Sequence, residues 1–214
     1  MINTIFLDRL EAGKLLAEKL RKYRNKEGLV LAIPRGGVPV AYAVAKELDF
    51  PVEIVLTKKI GHPMNKEYAI GAASLTDYFV IPHENVSDLY IQTELKKIRE
   101  RLRLMYKKFI GDKEPESIAG KTVIVIDDGI ATGNTLIGTI HLLKKSSPGK
   151  IIVAAPVASQ SAIQKLSKAA DEVVVLFVPE EFYGVGAFYE NFEQVSDEEV
   201  LFYLDKLKAL KKAS

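Results

Sequence analysis

Short, almost wholly apolar runs alternate along this chain with segments in which apolar residues return every three or four positions. The runs are LVLAIP (Leu29 to Pro34), VEIVLTKK (Val52 to Lys59), TVIVIDD (Thr122 to Asp128), KIIVAAPV (Lys150 to Val157) and EVVVLFVP (Glu172 to Pro179). Their length and β-branched content predict strands buried on both faces. Helical spacing separates them in VPVAYAVAKEL (Val38 to Leu48), TLIGTIHLLKK (Thr135 to Lys145) and SAIQKLSKAA (Ser161 to Ala170). Asp8, followed three residues later by Glu11, reads as a capping box that opens a helix running to about Tyr23. IGAASL (Ile70 to Leu75) and YFVIP (Tyr78 to Pro82) predict two more short strands, with Thr76 and Asp77 as the turn. Strands and helices in alternation predict an α/β fold, a mostly parallel sheet with helices on both faces.

From about 87 to 110 the period changes. Leu95, Ile98, Leu102, Met105 and Phe109 form one face of a long helix, and Lys96, Lys97, Arg99, Arg101, Arg103, Lys107 and Lys108 another. The basic face is either an ordinary solvated surface or one that draws in phosphates or a partner. The apolar stripe needs cover, from the core or from a second copy of the chain, and a homodimer with this helix at or near its interface is expected. After residue 178 the alternation stops: FVPEEFYGVGAFYENF (Phe177 to Phe192) is aromatic and glycine-containing, and a last helix begins near Asp197. The expected organisation is a core over 1–178, with an excursion at about 59–72 and the added helix at about 87–110, and a tail over 179–214.

Bulk numbers narrow the class. A length of 214 residues suits one domain, and 48% apolar with 27% charged residues is a globular composition. The net charge of +2 gives no strong field toward nucleic acid or membrane. With no cysteine, a disulfide framework and a thiolate metal site are excluded. MINTIFLDRLEAGK mixes acids and bases, unlike a signal peptide, and no apolar run reaches the ~18 residues of a membrane span. A cytoplasmic protein without nucleic-acid or membrane partners is expected.

The chemistry concentrates in VIVIDDGIATGNT, Val123 to Thr135. Asp127 and Asp128 close an apolar strand, and a loop of small residues then leads into a helix. Ligands of open α/β sheets bind beyond the carboxyl ends of the strands. A helix N-terminus offers unpaired N–H groups and positive dipole, and so receives anions. Gly129 and Gly133 let backbone amides converge, while Thr132 and Thr135 add hydroxyl donors. Two carboxylates would repel a phosphate aimed at them, but ionised carboxylates accept hydrogen bonds from sugar hydroxyls. A sugar phosphate satisfies both ends. Asp128 as a plain helix cap accounts for one residue of this pattern but not for the acid pair with two Gly and two Thr. GxxxxGK[ST] is absent because Asn134 stands where Lys is needed, and GxGxxG and GxSxG are absent too.

This stretch resembles the phosphoribosyl-pyrophosphate binding motif of the type I phosphoribosyltransferases. The resemblance implies that family's core fold with a small C-terminal hood, and Mg²⁺-dependent displacement of pyrophosphate at ribose C1 by a nitrogen acceptor, usually a nucleobase. By position, Asp127 and Asp128 would hold the ribose hydroxyls, and the metal indirectly, through those hydroxyls or water. Ile130, Ala131, Thr132, Gly133, Asn134 and Thr135, after Gly129, would hold the 5′-phosphate.

Further parts that the family needs have candidates. In AIPRGGVPVA, Arg35 supplies charge and Gly36 and Gly37 allow amides to approach a diphosphate. In TKKIGHPMNKEYAIGAASL, Lys58 and Lys59 precede an excursion suited to a lid that stabilises the leaving group and excludes water. Members acting on 6-oxopurines typically carry an Asp in the phosphate loop where Ala131 stands here; Glu67, beside Tyr68, is the alternative proton carrier, and His62 lies in the same loop. Phe182 or Tyr183 of the hood could stack on a base. The rival reading is a regulator of the same fold that binds phosphoribosyl pyrophosphate without turning it over.

Overall fold

The computed structural model describes residues 4–113 and 115–213, without the side chains of Glu67 and of residues 210–213. Five strands form a parallel sheet in the order β2-β1-β6-β7-β8: β1 Gly28–Ala32, β2 Val52–Ile54, β6 Thr122–Ile126, β7 Lys150–Val157 and β8 Glu172–Phe177. Alternate side chains divide between two apolar layers. Val30, Ala32, Ile124, Ile126, Ile152 and Ala154 face a layer covered by α1 (Arg9–Leu20), α2 (Gly37–Leu48) and α6 (Asp197–Ala213). Leu29, Leu31, Val123, Val125, Ile151 and Val153 face α4 (Asn134–Lys144) and α5 (Gln160–Leu166). Because these strands are covered on both sides, their sequences are continuous apolar runs rather than alternating ones.

The run VEIVLTKK is not one strand. Its first half pairs with β1 as β2, while Lys58 opens β3 (Lys58–His62) of a separate antiparallel sheet with β4 (Asn65–Ala73) and β5 (Tyr78–Val80). The root of the β3–β4 hairpin is fixed, with Ile60 and Ile70 fully buried. A Cβ on Gly138 of α4 would lie 2.5 Å from Ala72 Cβ, and Thr57 Oγ1 lies 2.7 Å from Thr139 Oγ1. The helix that opens at Asp8 is α-helical only to Leu20 and ends in a 3₁₀ turn over Arg21–Tyr23.

Helix α3 (Asp88–Phe109) buries Leu95, Ile98, Leu102 and Phe109 in the chain's own core, so its apolar stripe does not call for a second copy. Instead it braces two other parts. Near its start, Tyr90 donates to the Gly61 carbonyl at 2.6 Å and Lys66 donates to Tyr90 at 2.6 Å, pinning the hairpin tip. Near its end, Lys108 pairs with Asp197 at the head of α6. The tail folds back over the sheet end, where Phe6, Val157, Phe188 and Tyr189 make a third apolar cluster. Its backbone is joined to the N-terminal segment: Phe6 N donates to Phe188 O at 3.0 Å and Asn191 N to Leu7 O at 2.9 Å.

Candidate active site

In the order β2-β1-β6-β7-β8, connections leave β1 and β6 toward opposite faces of the sheet, α2 to one side and α4 to the other. The loops beyond these two strands therefore part and leave a crevice, the usual ligand position of open α/β sheets. Pro34–Gly36 leaves β1 and Asp127–Gly133 leaves β6. The two turns are in close contact. Ile33 N donates to the Ile126 carbonyl at 2.8 Å, and a Cβ on Gly37 would lie 2.6 Å from that same carbonyl.

Both helices that start here lack a side-chain cap. The N-cap of α2 is Gly36 and that of α4 is Gly133, the latter at φ 73, a left-handed conformation that favours glycine. By contrast, Asp8, Ser87, Ser159 and Ser196 cap α1, α3, α5 and α6. In α4 the first-turn N–H groups can meet solvent or an anion, whereas in α2 Gly37 N donates to Ile33 O at 3.0 Å, Val38 N donates to Arg35 O at 3.1 Å, and Pro39 has no N–H. Ala131, Thr132, Asn134 and Thr135 are exposed at the mouth of the α4 loop. Its base is rigid: Ile130 is buried, its N–H donates to Val157 O at 2.9 Å, and Ser159 Oγ donates to the Ala131 carbonyl at 2.6 Å.

The two carboxylates differ. Asp127 Oδ1 accepts from the backbone N–H of Asp128 at 2.9 Å. Burial, then the neighbouring Asp128 charge, push the Asp127 carboxyl well above the usual carboxylate range. Asp128 Oδ2 accepts from Arg9 Nε at 2.8 Å, and the Asp128 carbonyl accepts from the Tyr189 hydroxyl at 2.6 Å. Burial, followed by the Asp128 charge, holds the Tyr189 phenol well above its ordinary value. Arg9 and Tyr189 carry no motif; their only sequence signals are a cation beside a helix start and a tyrosine in an aromatic tail.

Arg35 is exposed, and its Nε lies 2.7 Å from Asp197 Oδ1, in an ion cluster shared with Lys108. Lys58 is exposed at the root of the hairpin, and Lys59 is half-buried beside it. Glu67 belongs to β4, but its side chain is outside the described residues. His62 sits in a ring cluster with Tyr68 and His83, at centroid distances of 6.1 and 6.2 Å. In the tail, Phe182 packs on Phe188 at 5.6 Å, whereas Tyr183 is 70% exposed and donates to Glu181. Val185 covers the acid loop so closely that a Cβ on Gly129 would lie 2.3 Å from its Cγ1. An apolar cavity of about 470 Å³ lined by Phe50, Ile54, Phe109 and Leu207 opens near the other end of α2 and shares no residue with these loops.

Among the described residues no three His, Asp or Glu side chains could together hold a metal ion. The acid pair suits instead a hard cation that keeps most of its ligands from water and a bound phosphate compound, as Mg²⁺ does.

A parallel sheet with helices on both faces, and an acid pair beside an uncapped helix start at its strand ends, belongs to the doubly wound α/β class. Comparison with known proteins gives the family. The model of the phosphoribosyl transferase domain matches residues 6–186, and the chain belongs to that family, a class of glycosyltransferases. It is 33% identical over 94% of its length to a provisionally named phosphoribosyl transferase of Mycobacterium tuberculosis, and spans 47% of that protein. The crystal structure of TT1426 from Thermus thermophilus superposes with a TM-score of 0.86 at 35% identity, covering 95% of this chain and 99% of that one. A purine phosphoribosyltransferase from Pyrococcus horikoshii shares the fold, with a TM-score of 0.51 at 19% identity over 92% of this chain and 99% of that one.

Proposed function

We propose that the protein transfers the 5-phosphoribosyl group of phosphoribosyl pyrophosphate to a nitrogen acceptor, a nucleobase, and releases pyrophosphate. The observation that carries this is the contact between the two loops: Gly36, the uncapped start of α2, lies directly against Asp128, so a diphosphate site and a hydroxyl-accepting carboxylate are neighbours.

The first-turn amides of α4, with Thr132 and Thr135, receive the 5′-phosphate. Asp127 and Asp128 accept from the ribose hydroxyls. The Gly36 amide, with Arg35 oriented by Asp197, receives the diphosphate, while Gly37, whose N–H donates to Ile33 O, lets the turn close against the end of β6. Lys58 and Lys59 stand at the root of the β3–β4 lid, where positive charge favours the leaving group as the bond from C1 to the diphosphate oxygen breaks and the bond from C1 to nitrogen forms. The chemistry is mostly positioning and charge stabilisation. Asp127 and Asp128 are the residues that would hold Mg²⁺, indirectly, and the ion would supply neutralisation of the diphosphate charge. The base lies under the tail, where Tyr183 has a free face and Phe182 is largely committed to packing. Glu67, in the lid, is the proton carrier in this reading, since Ala131 removes a carboxylate from the phosphate loop.

Cytoplasmic location and a homodimer belong to the same proposal. Exposed Leu89 and Leu104 on α3 give the surface a second copy would cover; a monomer by light scattering at micromolar concentration removes that part. The test of the activity is a panel of nucleobases incubated with phosphoribosyl pyrophosphate and Mg²⁺, read as pyrophosphate release. Turnover with one base supports the transferase. Tight binding of phosphoribosyl pyrophosphate with no turnover on any base favours the regulatory reading.

A further inference from the structure

Arg9 is the first residue of α1, where the helix dipole disfavours a cation. Fixing so flexible a side chain also costs rotamer entropy. Its contacts outweigh both. Nε donates to Asp128 Oδ2 at 2.8 Å, Nη1 donates to the Glu193 carbonyl at 2.8 Å, and the guanidinium lies 3.8 Å from the Phe192 ring centre. The two charged side chains are only 11% and 14% exposed. Charge-assisted bonds in so sheltered a place are strong and directional.

The same oxygen, Oδ2, is the one held most closely against the Gly36 backbone, since a Cβ on Gly36 would lie 1.9 Å from it and 3.0 Å from Oδ1. Arg9 and the Gly36 backbone therefore both crowd that carboxylate oxygen, and the Tyr189 hydroxyl fixes the Asp128 carbonyl. With Oδ2 occupied, Oδ1 is the oxygen left to meet a ligand.

We propose that Arg9 is a positioning residue for pentose recognition: by clamping Asp128 Oδ2 it turns Oδ1 toward the sugar hydroxyls. The proposal rests on the ribose-phosphate reading given above. It joins the N-terminal segment and the tail to the sugar site, because Arg9 comes from one and Phe192 and Glu193 from the other.

The experiment is calorimetric titration of ribose 5-phosphate, and separately of inorganic phosphate, into wild type, Arg9→Gln, Arg9→Lys and Phe192→Leu. Inorganic phosphate reports on the anion-binding loops without the sugar. Its affinity is expected to stay within about twofold in all four proteins. Ribose 5-phosphate affinity is expected to fall roughly 10- to 100-fold in Arg9→Gln, the loss of one hydrogen bond to a charged group. It is expected to fall less in Arg9→Lys, which keeps the charge but not the planar fork, and in Phe192→Leu, which removes the stack. In turnover, KM for phosphoribosyl pyrophosphate rises more than kcat falls. Equal ribose 5-phosphate affinity in wild type and a folded Arg9→Gln overturns the positioning role, and so does parallel loss of both ligands, which marks general collapse. If Arg9→Gln does not fold, the other two variants carry the same comparison. Wild type that binds ribose 5-phosphate no tighter than phosphate refutes the underlying sugar reading instead.

Discussion

The Cβ that Gly36 lacks would lie 1.9 Å from Asp128 Oδ2, far inside any real contact. Glycine is required there by proximity rather than by its backbone angles, which are right-handed at φ −60 and ψ −33. Since Arg9 holds the same oxygen, the carboxylate cannot retreat without breaking an ion pair. Gly36→Ala should therefore reduce phosphoribosyl pyrophosphate affinity at least tenfold, with overpacking costing about 1–3 kcal/mol of stability. Calorimetry and urea unfolding read the two effects separately; an alanine variant with full affinity would show that the two loops are not held together as described.

Asp127 carries the clearest conflict between stability and function. Burial and the Asp128 charge raise its carboxyl pKa in the folded chain. The native state thus binds the proton more tightly than the unfolded one, and stability declines as pH rises from the unfolded value, near 4, up through the raised one. At any pH above the unfolded value the group is therefore a liability to the ligand-free fold. Asp127→Asn is expected to raise the melting temperature at pH 7, to leave it nearly unchanged at pH 3, and to weaken ribose 5-phosphate binding. A neutral-pH melting temperature below wild type would contradict the assignment of burial as the cause.

Glu172 behaves in the opposite sense. Burial alone would raise it, but hydrogen bonds from Lys150, Lys22 and Tyr23 outweigh that and hold its pKa at about 2. Its contribution is complete above about pH 4.5 and disappears as pH falls toward 2. Partly exposed ion pairs are screened, so about 1–3 kcal/mol is at stake. Urea denaturation of wild type and Glu172→Gln across pH 3 to 7 should give curves that diverge at neutral pH and converge in acid. Parallel curves would mean that the cluster is neutral to stability.

Acceptor choice tests Ala131. Without a carboxylate in the phosphate loop, a protonated ring nitrogen must lose its proton elsewhere, and general-base help is worth about 10²–10⁴-fold. Hypoxanthine and guanine are expected to be poor acceptors, and Glu67→Gln to lower kcat more than it raises KM. Steady-state turnover on each base decides both points: efficient use of either base removes the argument from Ala131, and full turnover of Glu67→Gln removes the proton-carrier role.

The sheet strands are legible in the sequence because each is a continuous apolar run, as burial on two faces demands. The acid pair and phosphate loop are legible because strand, acids, glycines and hydroxyls all fall within Val123 to Thr135. The run from Val52 to Lys59 reads as one strand because local hydrophobicity does not reveal where a chain leaves one sheet for another; that exit is set by α4, onto which the hairpin root packs. The stripe of α3 shows that it must be buried but not against what.

What the sequence determined by itself, then, was the set of elements and the local chemistry at the end of β6, because propensity, periodicity and turn residues act between near neighbours in the chain. Tertiary structure alone decided that Gly36 abuts Asp128, that Arg35 leans on Asp197, and that Arg9 reaches Asp128 across 119 positions. Those relations depend on the order of strands in the sheet and on the N-terminal segment joining the tail, and no spacing in one chain encodes the distance between residues so far apart.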